Sequence, residues 1–440
     1  MNVADSQRVA SALEALGYQA EAEAECADVI VLNTCVVRQS AEDKAYGRLT
    51  SLLPLKRKRP DLVINLMGCL VGVRGAEALR TKLPMVDVFS PPSEPGPLVR
   101  YLLEREGHDL AEAERLQRFA YQDEATTVLN AQSGGYTLPA PERGRAVSAH
   151  VPIVYGCSHA CTFCIIPFKR GVERSRPVGE VAADVRGLVA QGVREVTLLG
   201  QIVDRYGQDI DGGPTLAGLL RAIHDIDGLE RIRFLTGHPR DMHRHLMDAI
   251  GRLDKVCPWL HVPAQSGADP VLRRMKRLYT AREYLDMVAY ARRVIPGVTF
   301  SSDFIVGFPG ETDADFRATL DLVRRVQYDQ IFSFKYSERP GVPAARLADD
   351  VPLAAKKERL AALMDAQQGI WAATAAGLVG GTVTAVCEGP ARRPAGAWRL
   401  RTANNRKVVV EAPDLAPGQA VDVRLTGWDA TTFFGERLPA

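Results

Sequence analysis

The sequence predicts an α/β protein in three parts: an N-terminal parallel-sheet domain, a partial (β/α)6 barrel and a small C-terminal antiparallel β-barrel. Three observations carry that prediction. Apolar runs such as Val29–Leu32 and Leu62–Leu66 alternate with helix-length amphipathic stretches, as parallel strands covered on both faces do. Six further strand–helix units follow between Val151 and about residue 373, which suits a partial barrel. From residue 376 to 440 the pattern changes to short strands broken by Gly, Pro and Asn-Asn, the mark of a small barrel.

In residues 1–118, Asp5 or Ser6 can cap a helix whose apolar face is Val9, Leu13 and Leu16, with Gly17 as its stop. Strand Val29–Leu32 ends in Asn33-Thr34-Cys35. A helix over Ser40–Leu55 then runs into Lys56-Arg57-Lys58-Arg59, and strand Leu62–Leu66 ends in Met67-Gly68-Cys69. Ligand sites in such sheets gather at the carboxyl ends of the strands, so Cys35 and Cys69 are expected on one edge as metal ligands. Buried structural cysteines are the plain alternative. The basic tetrad reads either as a solvated helix end matched to the helix dipole or as an RNA contact.

Residues 119–148 carry Gly134, Gly135, Pro139, Pro141 and Gly144 and read as a linker. In 149–374 the expected strands are Val151–Tyr155, Glu195–Leu199, Ile232–Leu235, Trp259–Val262, Phe300–Val306 and Gln330–Tyr336. Helices are expected around 179–191, 215–225, 242–252, 280–293, 312–326 and 353–373. In 376–440 the strands are Thr382–Glu388, Trp398–Thr402, Lys407–Glu411 and Val421–Leu425, with Trp398, Trp428, Phe433 and Phe434 as barrel core.

A hydrophobic fraction of 46% with 25% charged residues is that of an ordinary globular chain. No apolar run approaches the ~20 residues that cross a bilayer, and the first residues lack the basic and apolar regions of a signal peptide. Eight cysteines clustered by motif read as reduced thiols and metal ligands in the cytoplasm. A net charge of +2 leaves any nucleic-acid argument to local patches.

The strongest chemical signal is Cys157-Ser-His-Ala-Cys161-Thr-Phe-Cys164, directly after the first barrel strand and Gly156. Three thiolates on one tight loop suit an iron–sulfur cluster with one iron left without a protein ligand. Zinc with His159 as the fourth ligand is the alternative, and a redox pair of Cys161 with Cys164 is a third. Lys169, Arg170, Arg174 and Arg176, opposed by Glu173 alone, put positive charge beside this loop and suit RNA phosphates. An internally salt-bridged loop is the other reading. The last segment adds Arg392, Arg393, Arg399, Arg401, Arg406 and Lys407 with Asn404 and Asn405, again a face for RNA. His238-Pro-Arg240-Asp241 follows the third barrel strand, where a lone histidine reads as structural. Cys26, Cys257 and Cys387 have no partner by spacing.

C-x₃-C-x-aromatic-C after a first barrel strand, with Phe163 in the aromatic slot, resembles the radical S-adenosylmethionine (SAM) superfamily. The resemblance implies that Cys157, Cys161 and Cys164 hold a [4Fe-4S] cluster whose open iron chelates SAM, with reductive cleavage giving a 5′-deoxyadenosyl radical. It also implies SAM contacts from Phe163, Gly200, Gln201, Gln265, Ser266 and Asp303, since a zwitterionic, ribose-bearing cofactor needs polar groups and close backbone approach. The glycines read equally as turns.

Over nearly its whole length the chain resembles the methylthiotransferase family. Asn33-Thr-Cys35-Val-Val-Arg, Leu199-Gly-Gln201, His261-Val-Pro-Ala-Gln265-Ser-Gly, Asp303-Phe-Ile-Val-Gly-Phe-Pro-Gly-Glu and Phe332-Ser-Phe-Lys-Tyr-Ser resemble its tRNA branch. The resemblance implies that a methylthio group is added to C2 of N6-dimethylallyladenosine beside the anticodon. One SAM would give the methyl group and a second the radical. A second, auxiliary [4Fe-4S] cluster on three cysteines would carry the sulfur. It further implies a tRNA anticodon stem-loop as partner, a reductant such as flavodoxin or ferredoxin, a TRAM RNA-binding domain at 376–440 and a cytoplasmic monomer. Threonylcarbamoyl-adenosine in tRNA, an aspartate of a ribosomal protein, and a non-catalytic RNA-binding role are the alternatives.

The chain departs from the family at its start. Met1-Asn2 resemble the end of a Gly-Cys-Gln-Met-Asn stretch that holds the first auxiliary cysteine, so only Cys35 and Cys69 of that set are present. The expectation is a start downstream of the true one, with an in-frame Gly-Cys-Gln in the codons upstream. Without it, the protein is expected to cleave SAM and not to transfer sulfur.

Overall fold

The computed structural model describes residues 1–37, 39–107 and 136–439. Arg38, residues 108–118 of the expected first domain, and 119–135 of the expected linker, Gly134 and Gly135 included, lie outside the described residues. The chain packs as two units. One comprises Met1–Gly144, His150–Ala160 and Cys164–Gly192, the other Arg145–Ala149, Cys161–Phe163 and Val193–Ala440.

The first unit is built on three parallel strands, β1 (Val29–Thr34), β2 (Val63–Gly68) and β3 (Val88–Ser90), in that order. Around them lie α1 (Asn2–Ala15), α2 (Gln39–Lys58), α3 (Glu77–Lys82) and α4 (Gly96–Arg105). The period of two along β2 supplies both cores. Ile64 and Leu66 pack with Leu49, Leu52 and Phe89, while Val63 and Met67 pack with Val9, Leu98 and Leu102. β2 is buried throughout and the edge strand β1 only half so.

Two expectations are corrected here. Neither Asp5 nor Ser6 caps α1, which starts at Asn2 with no side-chain cap. Asp5 instead turns inward, accepting from the Ser93 hydroxyl at 2.7 Å and pairing with Arg170 at 3.4 Å. The basic tetrad is only half a free patch, with Arg57 and Lys58 exposed. Lys56 pairs with Asp87 at 2.8 Å and Arg59 with Asp28 at 2.6 Å.

The described part of the expected linker is tied down. Leu138 is buried, its N–H donates to the Gln191 side chain at 2.8 Å, and Arg143 pairs with Glu14 at 2.7 Å. The expected strand Val151–Tyr155 is two strands, β4 (Ser148–Pro152) and β5 (Val154–Tyr155). At the break, the Ile153 carbonyl accepts the Arg176 N–H at 2.9 Å. After the cysteine loop come α5 (Ile166–Arg170), β6 (Arg174–Ser175), antiparallel to β5, and α6 (Val178–Ala190). Gly156 makes the exit from β5 at φ +68°, and a Cβ there would lie 1.9 Å from the Val172 carbonyl oxygen. Only glycine combines that backbone angle with that approach.

The second unit carries the parallel strands β7 (Glu195–Leu199), β8 (Arg231–Phe234), β9 (Trp259–His261), β10 (Thr299–Val306) and β11 (Gln330–Lys335). β7 pairs with β8, and β10 lies between β9 and β11. The Gly237 N–H donates to the His261 carbonyl at 2.9 Å, carrying the arc from β8 to β9. The helices are α7 (Leu216–His224), α8 (Arg244–Arg252), α9 (Asp269–Arg274), α10 (Ala281–Val294), α11 (Asp313–Val326) and α12 (Leu353–Leu378). Thr280 with Glu283 and Thr312 with Asp315 form capping boxes that fix the starts of α10 and α11.

The chain ends in a closed barrel of β12 (Thr382–Pro390), β13 (Ala397–Thr402), β14 (Lys407–Glu411), β15 (Ala420–Asp429) and β16 (Thr432–Arg437), ordered β12-β13-β14-β16-β15. It is not wholly antiparallel, because β14 pairs parallel with β16. Cys387, Leu400, Val408, Val423 and Phe433 fill it, with Trp371 of α12 packed against them. Phe433 is core as expected, but Trp428 (37% exposed) and Phe434 (38%) face outward. The barrel is fastened within its unit by Arg233 to the Thr402 and Ala403 carbonyls and by Arg406 to Asp329 at 2.8 Å. No described helix is long and apolar enough to cross a membrane.

Two outcomes follow. Gly156→Ala is expected to lower the unfolding free energy by about 1–3 kcal/mol, read by denaturant titration. An unchanged midpoint would contradict the close approach to Val172. In the barrel, burial alone would raise the Glu388 carboxyl, but Arg401 and Arg399 outweigh it and hold it below its ordinary value of 4.5. Its stabilising contribution is therefore present above that value and lost as pH falls through the lowered one. Wild type should melt higher than Glu388→Gln near neutrality, with the gap closing on acidification. A gap independent of pH would contradict this.

Candidate functional site

The cysteine loop leaves β5 through Gly156, and the Cys157 N–H donates to the Gly171 carbonyl at 3.0 Å. Three bonds pin its middle. Thr162 donates its N–H to Met275 O at 3.1 Å and its hydroxyl to Arg274 O at 2.8 Å, and accepts the Ala344 N–H at 2.8 Å. Cys157 and Cys161 are buried and Cys164 half-buried. Phe163 sets its ring edge-on to Phe308, centroids 6.5 Å apart. Three thiols within eight residues are, by their chemistry, a donor set that suits an iron–sulfur cluster.

A residue that sequence reasoning did not single out completes this group. Arg277 is 5% exposed. Its Nη1 lies 3.5 Å from Cys161 Sγ, its Nη2 donates to Pro263 O at 2.7 Å, and its guanidinium lies 5.5 Å from the Tyr279 ring centroid. Its Nε has no partner among the described residues. The only signal for it in the sequence is the basic stretch Arg273-Arg274-Met-Lys276-Arg277, which reads as an exposed helix end.

Polar groups gather at the carboxyl ends of the strands of this unit. Gly200 (buried) and Gln201 (half-buried) follow β7. Gln265 adopts a left-handed backbone at φ +66° and is clasped between Asp303 and Ile305, donating to the Asp303 carbonyl at 2.8 Å and accepting the Ile305 N–H at 2.9 Å. Its side-chain oxygen is buried without a partner among the described residues. Asp303 is half-buried, with His261 Nε2 at 3.7 Å. Ser266 is placed differently from expectation: its hydroxyl lies 3.3 Å from that of Thr319 and accepts the Ala268 N–H, so it serves the packing of α11.

Beyond β7, burial pushes the Asp204 carboxyl well above the usual carboxylate range, although the His238 N–H donates to it at 2.7 Å. His238 is buried, edge-on to Tyr279 at 5.8 Å and 3.5 Å from Asp241.

In the first unit, Cys35 and Cys69 directly follow the paired ends of β1 and β2, where Thr34 is in register with Gly68. The Cys69 N–H donates to Thr34 O at 3.1 Å. The expected shared edge is therefore present. Arg170 (side chain 4% exposed) places Nε 3.3 Å from Cys69 Sγ and Nη2 2.9 Å from Asn2 Oδ1. Burial pushes the Cys69 thiol up, and Arg170 pulls it back.

This placement corrects half of the basic loop. Arg170 and Arg176 are buried in ion pairs, Arg176 with Asp184 at 2.9 Å, and are no surface for phosphates. Lys169 is half-buried against Leu70, and Arg174 is exposed over the Tyr155 ring at 5.7 Å. Arg399 (43% exposed) and Arg401 both pair with Glu388. With Arg145 and Lys407 they line a recess of about 540 Å³ in the second unit.

Comparison with known proteins supplies the family. Residues 151–323 match the radical SAM superfamily and residues 1–90 the "uncharacterized protein family UPF0004". A radical SAM domain implies a [4Fe-4S] cluster and SAM, so the zinc reading of the loop gives way. Among solved structures, a radical SAM methyltransferase, TsrM, from Kitasatospora setae is similar in fold, with TM-score 0.55 at 16% identity over 78% of this chain and 72% of its own. Among curated proteins, the tRNA-2-methylthio-N(6)-dimethylallyladenosine synthase of Moorella thermoacetica is 42% identical over 100% of this chain and 96% of its own. The protein of that name from Chloroflexus aurantiacus is 40% identical over 97% and 87%. On that full-length identity the chain belongs to the family of the tRNA-2-methylthio-N(6)-dimethylallyladenosine synthases, which are radical SAM methylthiotransferases.

Proposed function

We propose that the protein converts N6-dimethylallyladenosine beside the tRNA anticodon to its 2-methylthio derivative, in the cytoplasm and with a flavodoxin- or ferredoxin-like reductant. The observation that carries this reading is the 42% identity to a synthase of that name along the whole chain. The thiol loop and its buried cation support the radical chemistry. Cys157, Cys161 and Cys164 hold the cluster, and three thiolates for four irons leave one iron for SAM. When bound, cluster and cofactor supply the one-electron chemistry that activates an unreactive C–H bond.

The chain's own residues bind and orient. Gln201, Gln265 and Asp303 offer amide and carboxylate groups at the strand ends, suited to the amino and ribose groups of SAM. The unpartnered Gln265 oxygen favours an incoming donor, because a buried acceptor left unsatisfied is costly. Phe163 with Phe308 keeps water from the loop. Cys35 and Cys69 contribute to a second cluster that carries the sulfur, supported by their shared sheet edge. Lys169, Arg174, Arg399 and Arg401 meet tRNA phosphates, with residues 376–440 as the RNA-binding module.

Nucleoside mass spectrometry of tRNA from a deletion strain tests this. The strain should lack 2-methylthio-N6-dimethylallyladenosine and accumulate the unthiolated nucleoside. The intact gene should restore the product, and Cys161→Ala or Cys69→Ala alleles should not. An unchanged nucleoside profile would overturn the function, and rescue by Cys69→Ala would overturn the second cluster. Altered threonylcarbamoyl-adenosine derivatives would move the substrate to that nucleoside.

A further inference from the structure

The setting of Arg277 is hard to account for as packing. A guanidinium cannot shed its proton, and a buried charge without a counter-charge is costly. Yet no carboxylate lies within ion-pair distance of Arg277 among the described residues. Its neighbours are the Cys161 sulfur, the Pro263 carbonyl and the Tyr279 ring. A neutral thiol supplies no counter-charge and is a weak acceptor. An iron-bound thiolate supplies both.

The backbone adds a second, independent observation. Arg277 is flanked by two non-glycine residues in the left-handed region, Lys276 at φ +53° and Leu278 at φ +59°. Such strain persists only where the surroundings over-determine it, and it collects at functional sites. Here the Arg277 N–H closes onto Leu272 O at 3.0 Å, just beyond α9. That tight turn drives the arginine inward while Leu278 is left 63% exposed. A chain that only needed a cation at a helix end would leave Arg277 in solvent and Leu278 under cover.

We propose that Arg277 is a positioning residue for the radical-generating cluster: it donates to the Cys161 sulfur and raises the reduction potential. The inference rests on the reading of Cys157, Cys161 and Cys164 as cluster ligands. Reduction adds one negative charge to the cluster, and a fixed positive charge at hydrogen-bond distance favours that state over the oxidised one. The same donor holds the thiolate in orientation, as partners behind metal ligands do. Because arginine is charged at every working pH, the effect does not titrate away.

The test uses the full-length protein, reconstituted anaerobically with iron and sulfide, as wild type, Arg277→Met, Arg277→Lys and Cys161→Ala. Iron retention against a chelator and the cluster midpoint potential are read, with melting of the metal-free proteins as the check on folding. Arg277→Met should lower the potential and weaken iron retention about 10- to 100-fold. Arg277→Lys, which keeps the charge and loses the planar fork, should fall between Met and wild type. A folded Arg277→Met with wild-type potential and retention overturns the proposal. If Met does not fold, Arg277→Lys decides, and wild-type values in both readouts overturn it. If Cys161→Ala binds and retains as much iron as wild type, the ligand reading fails and this proposal falls with it. If Cys161→Ala loses iron while both arginine variants match wild type, the proposal alone fails.

Discussion

Parallel strands impose one constraint on this chain: Cys35, Cys69, Gln201 and Gln265 all lie beyond a strand's carboxyl end. Cys35 and Cys69 follow β1 and β2, whose last residues are paired. The three-cysteine loop follows β5, and Gln201, Gln265 and Asp303 sit on or after β7, β9 and β10. Loops that leave strand ends side by side converge without any one of them being long, so residues distant in sequence become neighbours through the sheet.

Charge is handled by burying it in pairs. Asp5 meets Arg170, Asp184 meets Arg176, and Glu311 meets Arg359 at 2.8 Å. Buried pairs of this kind add little net stability, but losing one partner is costly, so they fix which arrangement the loops adopt. Arg277 stands apart because its nearest anionic candidate is a cysteine sulfur. That asymmetry separates a structural cation from one awaiting an anionic centre.

Much of the fold was legible in the sequence, because parallel strands buried on both faces are continuous apolar runs. Glu195–Leu199, buried throughout, coincides with the expected strand. The last barrel strand, Thr432–Arg437, was not foreseen. Its Gly435 and charged Glu436 and Arg437 break the apolar pattern, and its place comes from pairing with β14 and β15. The thiol loop was legible because spacing alone defines it.

The basic residues were not legible, since sequence reports charge and not burial. Arg170 and Arg176 read as a phosphate-binding loop, yet ion pairs with Asp5 and Asp184 hold them inside. Arg277 was invisible because its burial depends on two left-handed residues that no composition rule demands. The central claim is that the Cys157–Cys164 loop holds a cluster whose open iron takes SAM. Electron paramagnetic resonance of the reduced, reconstituted protein with and without SAM tests it most directly. SAM should alter the cluster spectrum, and Cys161→Ala should abolish the responsive signal. A spectrum indifferent to SAM would contradict it.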